Sequence, residues 1–133
     1  MWFSVDPRSS KPVYQQVVDG VKEAIAKGVL SPGDRMPSVR ELATAMMLNH
    51  NTVAKAYQEL EREQVIEVVR GRGTFIASAH RPPDREERVH ALTRHMRDMI
   101  VEAHHLAIGE DELIALFCSV VRAWQEERRQ TDP

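Results

Sequence analysis

A chain of 133 residues that is 42% hydrophobic holds enough apolar material for one compact domain, or a small domain with an appendage, and too much for general disorder. It has no apolar run of membrane-spanning length, no signal-peptide core in the opening MWFSVDPRSSK, and a single cysteine, Cys118, which excludes an intrachain disulfide; a soluble cytoplasmic protein is expected. The net charge of −2 excludes a uniformly basic nucleic-acid binder, yet residues 1–78 sum to +1 and residues 79–133 to −3, so any basic patch is local to the first part.

In PVYQQVVDGVKEAIAKGVL, Tyr14, Val17, Val18, Val21 and Ile25 recur on one face of an amphipathic helix, and Gly28 is a suitable stop. SPGD at 31–34 reads as a turn. Ser38 with Glu41 three residues later forms a capping box for a second helix, which buries Val39, Leu42, Ala43 and Met46 and ends near Met47. Asn49 caps a third helix with Val53, Ala56, Tyr57 and Leu60 inward and Asn51, Lys55, Gln58, His50 and Ala54 outward. Two short helices joined by a tight turn, the second with a polar outer face, make a helix-turn-helix. VIEVV and TFIA flank RGRG as a glycine-tipped hairpin, which completes a winged helix.

SAHRPPDREER breaks the periodicity and contains Pro82-Pro83; residues 79–88 are expected to be a linker after a head at 1–78. From Val89 the chain returns to alternating three- and four-residue apolar spacing through Leu92, Met96, Met99, Ala103 and Leu106. Gly109 interrupts it, EDE at 110–112 suits a helix start, and Leu113, Phe117, Val120 and Trp124 resume it, with Ile114, Leu116 and Val121 widening the face. The fold class is therefore mainly α with a small β-hairpin wing: a winged helix-turn-helix followed at 89–133 by a helical hairpin. A seam of Leu92, Met96, Met99, Leu113, Phe117 and Trp124 is too apolar for two helices to hide and needs the first domain or a second copy of the chain to cover it; dimerisation through it is expected, although such seams also close within one chain.

The head's polar residues point to duplex DNA. A helix N-terminus offers N–H groups to phosphate. The outer face of the third helix offers amides and an ammonium to base edges, Arg70 and Arg72 sit on a hairpin narrow enough to reach a neighbouring groove, and Arg35 and Arg40 precede or open the second helix. Lys55 remains open between DNA contact and ordinary exposed lysine, and Asn49 serves as cap, contact or both. His90, His95, His104 and His105 lack the spacing and acidic or thiol partners of a metal site, so no metal or cofactor is expected. Cys118, on an apolar face, is expected to be a buried, inert thiol.

PVYQQV, GDRMPSVRELA, NTVAKAYQELE and GRGTFIA, in this order and spacing, resemble the DNA-binding domain of the GntR family of bacterial transcription regulators over about residues 3 to 77, and the short two-helix tail is similar to its YtrA subfamily. The resemblance implies that Arg40 reads or clamps a guanine-containing step, Asn49 and Thr52 fix phosphates, Asn51 faces the groove, and Arg70 and Gly71 enter the minor groove with the wing. It also implies control of a neighbouring transporter operon and a tail too short for the larger effector domains of other subfamilies. Any effector would be a small molecule acting between helices or subunits. Two departures stand out: His50 occupies a place that is often Arg, which bears on base preference, and Met47 one that is often a Gly-like turn residue, at an expected cost in turn strain. The expected function is a homodimeric, sequence-specific repressor on an inverted-repeat operator, nucleoid-associated when bound. A protein-interaction module would carry apolar residues on the outside of the third helix, which this chain lacks. An enzyme would need a catalytic constellation, and none is recognisable.

Overall fold

A computed structural model describes residues 3–78 and 84–131. The chain divides into two compact units, Met1–Pro83 and Asp84–Pro133. In the first, α1 spans Val13–Ala26, β1 Arg35–Met36, α2 Val39–Met46, α3 His50–Arg62, β2 Ile66–Val69 and β3 Gly73–Ile76. The three helices follow the predicted periodicities, and their inward residues converge: Val17, Val18 and Val21 of α1, Leu42 and Ala43 of α2, and Val53, Ala56, Tyr57 and Leu60 of α3 form one core with Met36, Ile66 and Ile76. Each large aliphatic chain buried here stabilises the head by roughly 1.5–3 kcal/mol. Tyr14 and Ile25, at the ends of the apolar face of α1, are partly buried against the same core.

Local chemistry sets the helix boundaries. The Ser38 hydroxyl accepts from the Glu41 N–H at 3.0 Å, which caps α2; the reciprocal bond of the expected capping box, from the Ser38 N–H to the Glu41 carboxylate, is absent among the described residues. Asn49 caps α3 by accepting from the Asn51 N–H at 2.8 Å. Met47 ends α2 in the left-handed conformation, φ 56 and ψ 43, where its N–H and that of Leu48 satisfy the last carbonyls of the helix. Because the turn demands this conformation, the missing glycine is a strain and not a change of fold.

The wing carries one strand more than the hairpin read from the sequence. The sheet is antiparallel with order β1-β3-β2, Arg35 opposite Phe75 and Ile66 opposite Ile76. β1 is two residues long, too short for any alternation of side chains to reveal it, and it exists because β3 offers its second edge. Arg35 therefore precedes α2, as expected, but on a strand beside the wing.

The second unit consists of α4, Arg85–His105, and α5, Glu110–Thr131, joined by a turn in which Ala107 takes φ 57. Helix α4 begins within the stretch expected to be linker: Glu86 and Glu87 suit its first turn and Arg88 pairs with Asp84, so charge rather than apolar periodicity supports this end. Pro82-Pro83 lies outside the described residues. The expected apolar seam is present but not closed. The two helices touch at few points, and only Ala103 is buried among their described residues. Leu92, Met96, Met99 and Phe117 are roughly half exposed, whereas Leu113 and Trp124 are partly covered. The seam thus does not serve as an intramolecular hairpin core. For the same reason Cys118, expected to be buried, is exposed in the single chain.

Candidate nucleic-acid interface

Arg35, Ser38, Arg40, Asn49, His50, Asn51, Lys55, Arg70, Gly71 and Arg72 are exposed and Thr52 is half-buried. All are carried by three elements that the core holds rigidly: the start of α2, the first two turns of α3, and the wing. The link between α2 and α3 is direct. Tyr57, buried in α3, donates its hydroxyl hydrogen to the Pro37 carbonyl at 2.6 Å, one residue before the Ser38 cap. Burial pushes the Tyr57 phenol above its ordinary value, with the Glu41 carboxylate adding to the shift, so the hydroxyl stays protonated and keeps donating. The segment that presents Ser38 and Arg40 is therefore fastened to the helix that presents Asn51 and Lys55.

The wing turn is tight. Gly71 (φ 79) and Gly73 (φ 119) both have positive φ, and Val69 and Gly73 pair across a three-residue tip that carries Arg70 and Arg72. At Gly73 the Arg35 guanidinium runs over the backbone: a Cβ placed there would lie 3.4 Å from Nε. The Arg35 guanidinium thus lies against Gly73, at the base of the tip that carries Arg70 and Arg72. The alternation of glycine with arginine in RGRG signals the tip, but the approach of Arg35 depends on β1 and is invisible locally.

Charge pairing divides the ten cationic residues of the head into two groups. Lys11 pairs with Asp19, Lys22 with Glu63, Lys27 with Glu23 and Arg62 with Glu59. Arg35, Arg40, Arg70 and Arg72, like Arg8 near the start of the chain, make no ion pair with any described residue. Lys55 likewise has no acidic partner among the described residues; its ammonium rests over the Tyr14 ring, 4.0 Å from the centroid. Asn51, Thr52 and Lys55 line a shallow cleft together with Val13 and Tyr14. Unpaired cations keep their full attraction for an external polyanion, since no internal carboxylate has to be displaced first. Tyr14 was legible in the sequence only as a core residue. Its contact with Lys55 joins two elements 41 positions apart. Among the described residues no group of three or more His, Cys, Asp or Glu is arranged to hold a metal ion.

Comparison with known proteins agrees with the winged-helix fold of the head. The model of the bacterial regulatory proteins of the gntR family matches residues 13–76, from the first residue of α1 to the last of β3. The HTH-type transcriptional repressor YtrA of Bacillus subtilis (strain 168) is 44% identical over 111 residues, 84% of this chain and 85% of that protein. Among solved structures, a transcriptional antiterminator from Listeria monocytogenes EGD-e superposes with a TM-score of 0.81 at 34% identity, covering 93% of this chain and 92% of that one. YtrA from Sulfolobus acidocaldarius, described as a GntR-family transcription factor, gives a TM-score of 0.56 at 34% identity over 91% of this chain and 97% of that one.

Proposed function

As the chain belongs to the gntR family of bacterial regulatory proteins, among its YtrA-like members, and is a transcription regulator rather than an enzyme, we propose that it is a homodimeric repressor of an inverted-repeat operator. In this reading residues 1–78 are the DNA-binding head and residues 89–133 the dimerising tail. The observation that carries it is the segregation of charge: the head neutralises Lys11, Lys22, Lys27 and Arg62 but leaves Arg35, Arg40, Arg70 and Arg72 without acidic partners among the described residues, at the start of α2 and on the wing.

The assignment of tasks follows from the elements. The first two turns of α3 lie in the major groove, with His50, Asn51 and Lys55 toward base edges and Asn49 and Thr52 toward phosphate. Arg40, with the Ser38 cap beside it, reaches a guanine or its flanking phosphate from the first turn of α2. Arg70, Gly71 and Arg72 carry the wing into the adjoining minor groove, with Arg35 behind them. The half-open seam of α4 and α5 supplies the dimer: the same face on two copies can close on itself about a two-fold axis, and two heads so related require a two-fold related operator. Bound across a promoter, such a dimer excludes polymerase. An effector, if one acts, is a small molecule that works through the geometry of the tail. The protein then acts in the cytoplasm, on the nucleoid when bound.

Selection of bound fragments from random duplex DNA tests this reading. Two half-sites in inverted repeat are expected. Arg40→Ala is expected to cost roughly 1–3 kcal/mol on the selected duplex and to relax preference at one position per half-site. A single asymmetric motif would overturn the dimeric reading. An equal loss on every sequence would reduce Arg40 to a phosphate clamp.

A further inference from the structure

Lys55 differs from the other unpaired cations of the interface in resting on an aromatic ring. Its Nζ lies 4.0 Å from the centroid of Tyr14. A cation above a ring face is attracted by the negative face of the ring quadrupole. An exposed lysine otherwise spreads its ammonium over many rotamers, and binding to a fixed anion must first restrict them. Tyr14 is a firm support, because it is the second residue of α1 and is packed against the core that also anchors Val53, Ala56 and Tyr57 of α3. The ring and the ammonium line the same cleft as Asn51 and Thr52 at the start of α3. A ring takes only one side of an ammonium, so its N–H donors remain available to a phosphate or a base edge.

We infer that Tyr14 is a positioning residue for DNA recognition: it holds the Lys55 ammonium beside the first turn of α3 before the duplex arrives. This rests on the DNA-binding reading above. It assigns a residue of α1, outside both the helix-turn-helix and the wing, a role in affinity exercised only through Lys55. The contact is made with the ring face, so the ring alone is required for this role.

The test is a cycle of substitutions in the full chain, measured on the selected duplex across a range of salt concentrations. Lys55→Met is expected to flatten the dependence of log K on log salt by about one unit. Tyr14→Phe keeps the ring and is expected to bind as the parent does. Tyr14→Leu keeps the apolar packing on the core but removes the ring, and is expected to weaken binding by about two- to five-fold. In the Lys55→Met background Tyr14→Leu is expected to have no further effect. A loss from Tyr14→Leu of the same size with and without Lys55 would mean a merely structural role and overturn the inference, as would a Lys55→Met variant with unchanged affinity and slope. NMR of the DNA-free protein provides an arm independent of the duplex: the Lys55 side-chain methylenes are expected upfield through the ring current, retained in Tyr14→Phe and abolished in Tyr14→Leu. Unshifted methylenes in a parent that still selects its duplex overturn the inference and leave the DNA-binding reading intact. A parent that binds no duplex overturns both.

Discussion

Replacing Phe117 by Ala tests the proposed dimer at its seam. The Phe117 side chain projects from the middle of α5 and remains 47% exposed in the single chain. Full burial of such a side chain is worth roughly 1.5–3 kcal/mol, so covering the remaining half contributes about 1 kcal/mol per copy. An isologous interface counts the residue twice, which gives about 2 kcal/mol, or about a thirty-fold rise in the dimer dissociation constant. A cavity left in a tightly packed interface would add to this. Alanine is a better helix former than phenylalanine, so α5 itself is not weakened and the effect is confined to association. Sedimentation equilibrium of the full chain measures the constant, and circular dichroism checks that helix content is retained. Affinity for the two-half-site operator should fall at protein concentrations below the new dimer constant, because the second head no longer arrives at high effective concentration. A parent protein that stays monomeric at all accessible concentrations, or a Phe117→Ala variant that dimerises as tightly as the parent, would refute the reasoning.

Three further outcomes are expected. Met47 is 92% exposed at φ 56, so Met47→Gly sacrifices no packing and relieves a left-handed strain of about 1–2 kcal/mol, partly offset by the greater freedom of glycine in the unfolded chain. The head's unfolding temperature should rise by several degrees without change in DNA binding; a fall would show that the turn depends on the side chain. Tyr57→Phe leaves the Pro37 carbonyl without its donor and should lower stability by about 1–2 kcal/mol in denaturant titrations. The folded-state value of the phenol is raised, so its contribution is fully present below the ordinary phenol value of about 10 and is lost as pH climbs toward the folded-state value. The gap between parent and Tyr57→Phe should therefore narrow above that pH, and a gap that widens there contradicts the assignment. Changing Arg70 and Arg72 together to Ala should weaken binding to all duplexes and lower the salt slope by about one unit for each phosphate that the wing no longer neutralises; an unchanged slope would mean that the wing points away from DNA.

The features that the sequence determined by itself are those with local causes. Ser38 and Asn49 cap helices because a short polar side chain reaches an N–H two or three residues on, and that reach does not depend on the rest of the fold. The 3.6-residue spacing of Val53, Ala56, Tyr57 and Leu60 turns Asn51 and Lys55 outward whatever α3 packs against. The positive φ of the wing turn is written into RGRG. These suffice to derive a winged helix and to pick out its exposed cations. Only the tertiary structure decided which of those cations are already neutralised. Lys22 looks like any solvated lysine until α1 packs on α3 and brings it to the buried Glu63 carboxylate, 2.9 Å away. Arg35 looks like a loop residue until β3 accepts β1 and brings its guanidinium against Gly73. The seam of α4 and α5 is visible as a pattern, but the pattern alone does not say who fills it. Hydrophobic spacing records that a face must be covered, whereas the geometry of two helices that scarcely touch shows that they do not cover it for each other.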